Sequence, residues 1–176
     1  MIVCAGESES FDFAKSVGIG MIDVSINLTQ MCIENPPPFI LFIGTAGSYG
    51  EKQIFDIIES KTSTNIENSF FGGGSYTPID NVISTADDVS RETMVNSSNY
   101  ITTDAKRSKH YIAQNIHLEN MEFFAVLKVA EKFSIPAAGI FIVTNYCDEN
   151  AHEDFKKNHA EAMMKLTEYM NKKANS

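Results

Sequence analysis

Leu118-Glu119-Asn120-Met121-Glu122-Phe123-Phe124-Ala125 opens a segment that runs through Ile135-Pro136 into the apolar residues 137–143 and stops at Thr144-Asn145-Tyr146. Helical spacing over residues 121–133, at about 100° per residue, puts Lys128, Glu131 and Lys132 on one face. Glu122 falls off that face, toward the apolar side, where a carboxylate needs a partner. Pro136 stops the helix because it lacks an amide hydrogen. The wholly apolar run that follows is the pattern of a strand covered on both faces. One helix-to-strand unit therefore carries a polar side chain at each end, Glu122 and Asn145.

The same logic extends outward. Residues 39–43 form a second wholly apolar run, followed by the small-residue stretch Gly44-Thr45-Ala46-Gly47-Ser48-Tyr49-Gly50, which reads as a loop at the strand's carboxyl end. Residues 1–5 are a short buried strand that delivers the acidic loop Glu7-Ser8-Glu9-Ser10. Residues 15–20 read as another short strand ending in glycines. Met21, Val24, Ser25, Leu28 and Cys32 then recur on one helical face until Pro36-Pro37-Pro38. Residues 54–69 suggest exposed strands or a bend, and residues 70–78 and 80–92 suggest loops. A strand is expected within 93–102, a short helix within 103–114 and a short strand at 116–118. Residues 151–172 form a long amphipathic helix with Phe155, Ala162, Met163, Leu166, Tyr169 and Met170 facing inward. Alternating strands and helices predict an α/β fold with a mainly parallel sheet and helices on both faces, with residues 1–176 as one domain.

The formal net charge of -9 and the presence of only two arginines, Arg91 and Arg107, argue against a surface that neutralises a row of phosphates, so no nucleic-acid partner is expected. Cys4, Cys32 and Cys147 have neither metal nor redox spacing and read as small core residues of a reducing cytoplasm. No apolar run approaches the roughly 18 residues that would span a bilayer, so no membrane association is expected.

Several residues have two readings on pattern alone. Glu122 could accept two sugar hydroxyls or be a buried carboxylate satisfied by backbone. Asn145 could donate to and accept from a heterocycle edge, or simply form a turn. Tyr100 could stack on a ligand ring or belong to the core. Glu7 or Glu9 could serve as a general base or lie in solvent. His110, His117, His152 and His159 show no metal spacing.

Taken together, these pieces resemble the nucleoside phosphorylase and nucleosidase superfamily. Lys15-Ser16-Val17-Gly18-Ile19-Gly20-Met21 resembles its Gly-Ile-Gly strand end before a helix, and Gly44-Thr45-Ala46-Gly47 its Gly-Ser/Thr-Ala-Gly loop. Asn120-Met121-Glu122 resembles its Met-Glu pair, and Val143-Thr144-Asn145 its Ile-Ser-Asp or Ile-Thr-Asn strand end. The resemblance implies a three-layer αβα sandwich on a mixed, mainly parallel sheet, and an enzyme that cleaves the N-glycosidic bond of purine nucleosides. In it Glu122 would hold the ribose hydroxyls, Met121 would pack on the sugar, Asn145 would bond the purine near N7 and Tyr100 would stack on the base. Thr45, Ala46 and Gly47 would border nucleophile and base, with Gly6 and Gly20 also at the substrate. Asparagine at 145 resembles the members acting on 6-oxopurines, so the expected activity is purine nucleoside phosphorylase-like: a glycosyltransferase of purine salvage with phosphate as co-substrate and no cofactor. The alternatives are a methylthioadenosine/S-adenosylhomocysteine nucleosidase-like hydrolase and a non-catalytic nucleoside-binding relative. The resemblance also implies a homo-oligomer, a dimer or a hexamer. The chain departs from the pattern of phosphate-using members at Ser10 and Phe42, where they usually carry arginines, and from that of the nucleosidases at Phe141, where they usually carry one.

Overall fold

Two long parallel strands, β3 (Ile40–Ser48) and β9 (Ala137–Tyr146), carry the sheet, paired from Ile40 opposite Ala137 to Ser48 opposite Tyr146. The structure is a computed structural model and describes residues 1–175. In chain order the remaining strands and α-helices are β1 (Ile2–Cys4), β2 (Lys15–Ser16), α1 (Gly20–Glu34), β4 (Ile57–Ser60), β5 (Thr62–Thr64), α2 (Asn68–Phe71), β6 (Val82–Ser84), β7 (Met94–Ser97), α3 (Ala105–Ile112), β8 (Ile116–Asn120), α4 (Phe123–Lys132) and α5 (Ala151–Ala174), with a 3-10 turn at Val89–Arg91. Strand order is β2-β1-β3-β8-β7-β5-β6, with β9 on β3 and β4 on β9. The β1–β2, β1–β3, β3–β9, β5–β7 and β7–β8 pairs are parallel; β3–β8, β4–β9 and β5–β6 are antiparallel. This is the mixed, mainly parallel sheet flanked by helices that the alternation of patterns predicts.

The period of two along both central strands builds the layers. Phe42, Phe141 and Val143 face the cluster under α1 and α4, whereas Ile43, Ile140 and Ile142 face Leu166 and Met170 of α5. Both faces are covered, which is why these strands read as unbroken apolar runs. Among the described residues no helix is long and apolar enough to cross a membrane.

The edge of β3 away from β9 decides where the site lies. Its start pairs with β1 at Leu41 and Phe42, and its end pairs with β8 at Gly47 and Ser48. At residues 44–46 that edge has no strand partner, so the sheet forks. A bulge in β9 at Thr144 then shifts the register, and Asn145 comes opposite Gly47.

Several expectations are corrected. Residues 44–48 are strand, because their small side chains let β3 pass between β9 and the residues stacked at its end. Residues 62–64 are fully buried: their hydroxyls find partners, Ser63 on Val95 O at 2.7 Å and Thr64 on Asn96 Oδ1 at 2.8 Å. Phe70 and Phe71 end a short helix in which Phe71 packs edge-on to Tyr111, and β6 lies within the expected loop 80–92. The strand before α4 continues to Asn120 and the helix begins at Phe123, while β9 extends past Val143 to Tyr146.

Candidate active site

The fork in the sheet opens into a pocket of ≈ 210 Å³. Its floor is Thr45, Ala46 and Gly47 of β3, its sides are the loop after β1 and the end of β8, and Asn145, Tyr100 and Phe155 of α5 complete the wall. Such a crevice outside the carboxyl ends of strands is the general ligand position of open α/β sheets.

Glu9 fills the gap left in the strand ladder. A tight turn in which Glu9 N–H donates to Gly6 O, with Glu7 at φ 52°, folds the acidic loop back over β3. The unpaired Thr45 N–H donates to Glu9 Oε2 at 2.9 Å and Thr45 Oγ1 donates to Oε1 at 2.5 Å. Gly44 makes room for this, since a Cβ there would stand 2.9 Å from Glu9 Oε2. Glu9 is thus half-buried at the pocket, whereas Glu7 is exposed.

Glu122 precedes the first turn of α4 and is 7% exposed. Its Oε1 accepts the first amide of α1, Gly20 N–H, at 2.9 Å; its Oε2 accepts Met121 N–H at 3.0 Å and Asn120 Nδ2 at 3.3 Å. A carboxylate at an uncapped helix N-terminus is favourably placed. Burial nevertheless pushes its pKa up to about 7, and the charge of Glu9 across the pocket pushes the same way. Glu122 is therefore a buried carboxylate satisfied largely by backbone, as one of its two sequence readings has it, and it also lines the pocket. The α4 amides that it leaves are taken by neighbours, Phe124 N–H by Ser97 Oγ at 2.9 Å, with Asn120 Oδ1 accepting from Ser97 Oγ at 2.7 Å.

Asn145 is locked in one orientation. Thr144 Oγ1 donates to its Oδ1 at 2.9 Å, and its Nδ2 donates to Tyr146 O at 3.0 Å, which leaves one amide hydrogen for a ligand. Gly47 is required beside it, because a Cβ would come 3.0 Å from Asn145 Nδ2 and 2.8 Å from Cys147 Sγ.

Of the residues expected at the site, Gly6, Thr45, Ala46, Gly47, Tyr100, Met121, Glu122 and Asn145 line this one pocket. Gly20 does not: its amide is held by Glu122, and Ile19 stands in the wall instead. Tyr100 is at the mouth, 74% exposed, and not in the core. Sequence reasoning missed Ile19, Ile101, Phe155 and Glu119. Only Glu119 carried a signal, as a lone charge between Leu118 and Asn120 in what proves to be an interior strand. Burial raises the pKa of its carboxyl.

The pocket holds three carboxyl groups, Glu9, Glu119 and Glu122, and among the described residues no lysine, arginine or histidine lines it. Phe42 and Phe141, where arginines were expected, are 1% and 0% exposed and pack with Phe123 at ring distances of 5.0–6.1 Å. Ser10 is exposed, its hydroxyl on Glu7 O at 2.8 Å.

Fold and site together define a three-layer α/β protein with a pocket at the fork of its sheet. The chain belongs to the phosphorylase superfamily, whose family model matches residues 72–172, more than half of its length. No curated protein matches its sequence. Among solved structures, it is similar to Helicobacter pylori 5'-methylthioadenosine/S-adenosyl homocysteine nucleosidase, at 15% identity and a TM-score of 0.81, covering 99% of this chain and 96% of that one. Futalosine hydrolase of Helicobacter pylori is similar at 16% identity and a TM-score of 0.79, covering 97% and 94%. The S. pneumoniae 5'-methylthioadenosine/S-adenosylhomocysteine nucleosidase follows at 11% identity and a TM-score of 0.76, covering 96% and 95%. At these identities the likeness establishes the fold.

Proposed function

We propose that this protein is a purine nucleosidase that uses water, and not phosphate, to cleave the N-glycosidic bond. The observation that carries the reading is the seating of Glu9 on Thr45 in a pocket that no cationic side chain lines among the described residues. A phosphate ion entering here would face three carboxyl groups. At an effective dielectric of about 20, an anion about 4 Å from the charge of Glu9 costs about 4 kcal/mol, and among the described residues no guanidinium lines the pocket to offset it. Water carries no such penalty, and a carboxylate fixed by two donors is suited to take its proton. The solved relatives named as nucleosidases and a hydrolase support the same choice.

In this mechanism the C1'–N9 bond breaks ahead of attack, giving an oxocarbenium-like sugar whose positive charge the carboxylates of Glu9 and Glu122 stabilise. Glu122 retains acceptor capacity for ribose hydroxyls, and Met121 packs beside the sugar. Glu9 accepts a proton from the attacking water, whose oxygen bonds to C1'. The electrons of the broken bond move into the purine, and the free amide hydrogen of Asn145 stabilises them at N7. The purine anion takes a proton from solvent as it leaves, and Glu9 returns its proton to solvent, so that the products are free base and ribose. An amide donates a hydrogen bond without giving up its proton, which favours a 6-oxopurine as the leaving base. Tyr100 covers the base at the mouth.

The test is base release in phosphate-free buffer by the wild type and by Glu9→Gln. Loss of a positioned general base lowers kcat by about 10²–10⁴-fold; an unchanged rate in the variant would remove Glu9 from the mechanism.

A further inference from the structure

Glu119 has no part in the chemistry above, yet it is 6% exposed in the pocket wall and gathers more donors than any catalytic candidate there. On β8 it stands opposite Gly47 of β3 and Asn96 of β7. Its Oε2 accepts from Tyr49 Oη at 2.7 Å and from Thr102 Oγ1 at 2.6 Å; its Oε1 accepts from Thr102 N–H at 2.7 Å and from Cys147 Sγ at 3.9 Å. Tyr49 follows β3, Cys147 follows β9, and Thr102 lies in the loop between β7 and α3. These are the segments that carry Gly47, Asn145 and Tyr100-Ile101.

The loop needs such an anchor. Tyr100 and Ile101 are 74% and 59% exposed, so burial does not hold them. At its near end the loop is tied by Ser98 N–H to Asn120 O at 3.1 Å, and at its far end by the paired bonds of Thr102 to Glu119. Tyr49 in turn stacks on Tyr111 at 4.2 Å, which fixes the side of the carboxylate away from the loop.

We propose that Glu119 is the positioning residue of the base side of the pocket: it holds Thr102 by backbone and hydroxyl together, and so sets where Tyr100 and Ile101 stand relative to Asn145. The identity of the ligand rests on the nucleosidase reading; the anchoring of the loop does not.

The chain contains no tryptophan, so Tyr100→Trp places a single fluorescent reporter on the loop. In that background Glu119→Gln and Thr102→Val are compared by tryptophan anisotropy, by quenching with hypoxanthine and adenine, and by nucleoside KM and kcat. Glu119→Gln is expected to lower the anisotropy, weaken base quenching and raise KM about tenfold, the worth of one charge-assisted hydrogen bond, with kcat within about threefold. Thr102→Val keeps the amide bond and removes only the hydroxyl donor, so it shows the same changes at smaller size and stands in should Glu119→Gln not fold. Anisotropy and KM that stay at the parent values in the folded variants, whatever their melting temperatures, overturn the proposal. Absence of quenching in the parent, with the anisotropy difference intact, counts against the nucleosidase reading and not against the anchor.

Discussion

Glu122 carries two duties that pull against each other. It closes the N-terminus of α1 by accepting Gly20 N–H, and it stands in a pocket where burial and Glu9 disfavour its charge. With a folded pKa of about 7 against an ordinary value of 4.5, its protonation stabilises the fold. That contribution is complete below about pH 4.5 and is lost as pH rises through 7. Unfolding by denaturant should therefore show Glu122→Gln gaining stability on the wild type between these pH values, by up to about 3 kcal/mol from a shift worth 1.36 kcal/mol per unit. A difference that does not vary with pH would mean the carboxylate ionises freely in the pocket.

At the scale of elements, the fork in β3 is what turns ordinary residues into a site. The edge of β3 loses its strand partner at residues 44–46, and Glu9 takes the amide that a neighbouring strand would have used. Gly44 is the condition for that exchange. Gly44→Ala would bring a Cβ to 2.9 Å from Glu9 Oε2 and 3.1 Å from the Phe42 ring, and the buried ring cannot retreat as the carboxylate can. Displacing the base by even about 1 Å is enough to cost on the order of 10²-fold in rate. Kinetics and thermal melting of Gly44→Ala should show kcat falling far more than stability; an unaffected kcat would contradict the seating of Glu9 described here.

The fork also marks the limit of what the sequence disclosed. Strands β3 and β9 were legible because both their faces are covered, and α1, α4 and α5 because their periodicity is strong. The stretch from Gly44 to Ser48 resembled a loop because small residues serve turns and crowded strands equally well, and only the neighbours of Gly47 show which applies. Residues 62–64 concealed their burial behind hydroxyl side chains whose partners lie some twenty to thirty residues away. Asn145 and Glu122 could be named from local motifs, whereas Glu9 was one of two equivalent glutamates until the turn at Gly6 sent it inward and left Glu7 outside. Glu119 acts through partners on three other segments, and no local pattern could assemble them.

For the molecule as a whole, charge is the property on which the proposed choice of nucleophile rests. The chain carries a formal net charge of -9, and its pocket holds three carboxyl groups and, among the described residues, no cationic side chain. The positions where the family resemblance led us to expect phosphate-clamping arginines are the core residue Phe42 and the surface residue Ser10, and the position where nucleosidases usually carry an arginine is the core residue Phe141. In the proposed reading, that arrangement suits a neutral nucleoside and a cationic transition state better than a phosphate ion. The direct measurement is the sugar product formed from inosine, guanosine and adenosine with and without inorganic phosphate. The account predicts equal amounts of free base and reducing sugar in phosphate-free buffer, at a rate that added phosphate does not raise, with the 6-oxopurine nucleosides preferred. Base release that requires phosphate and yields a sugar 1-phosphate would contradict it.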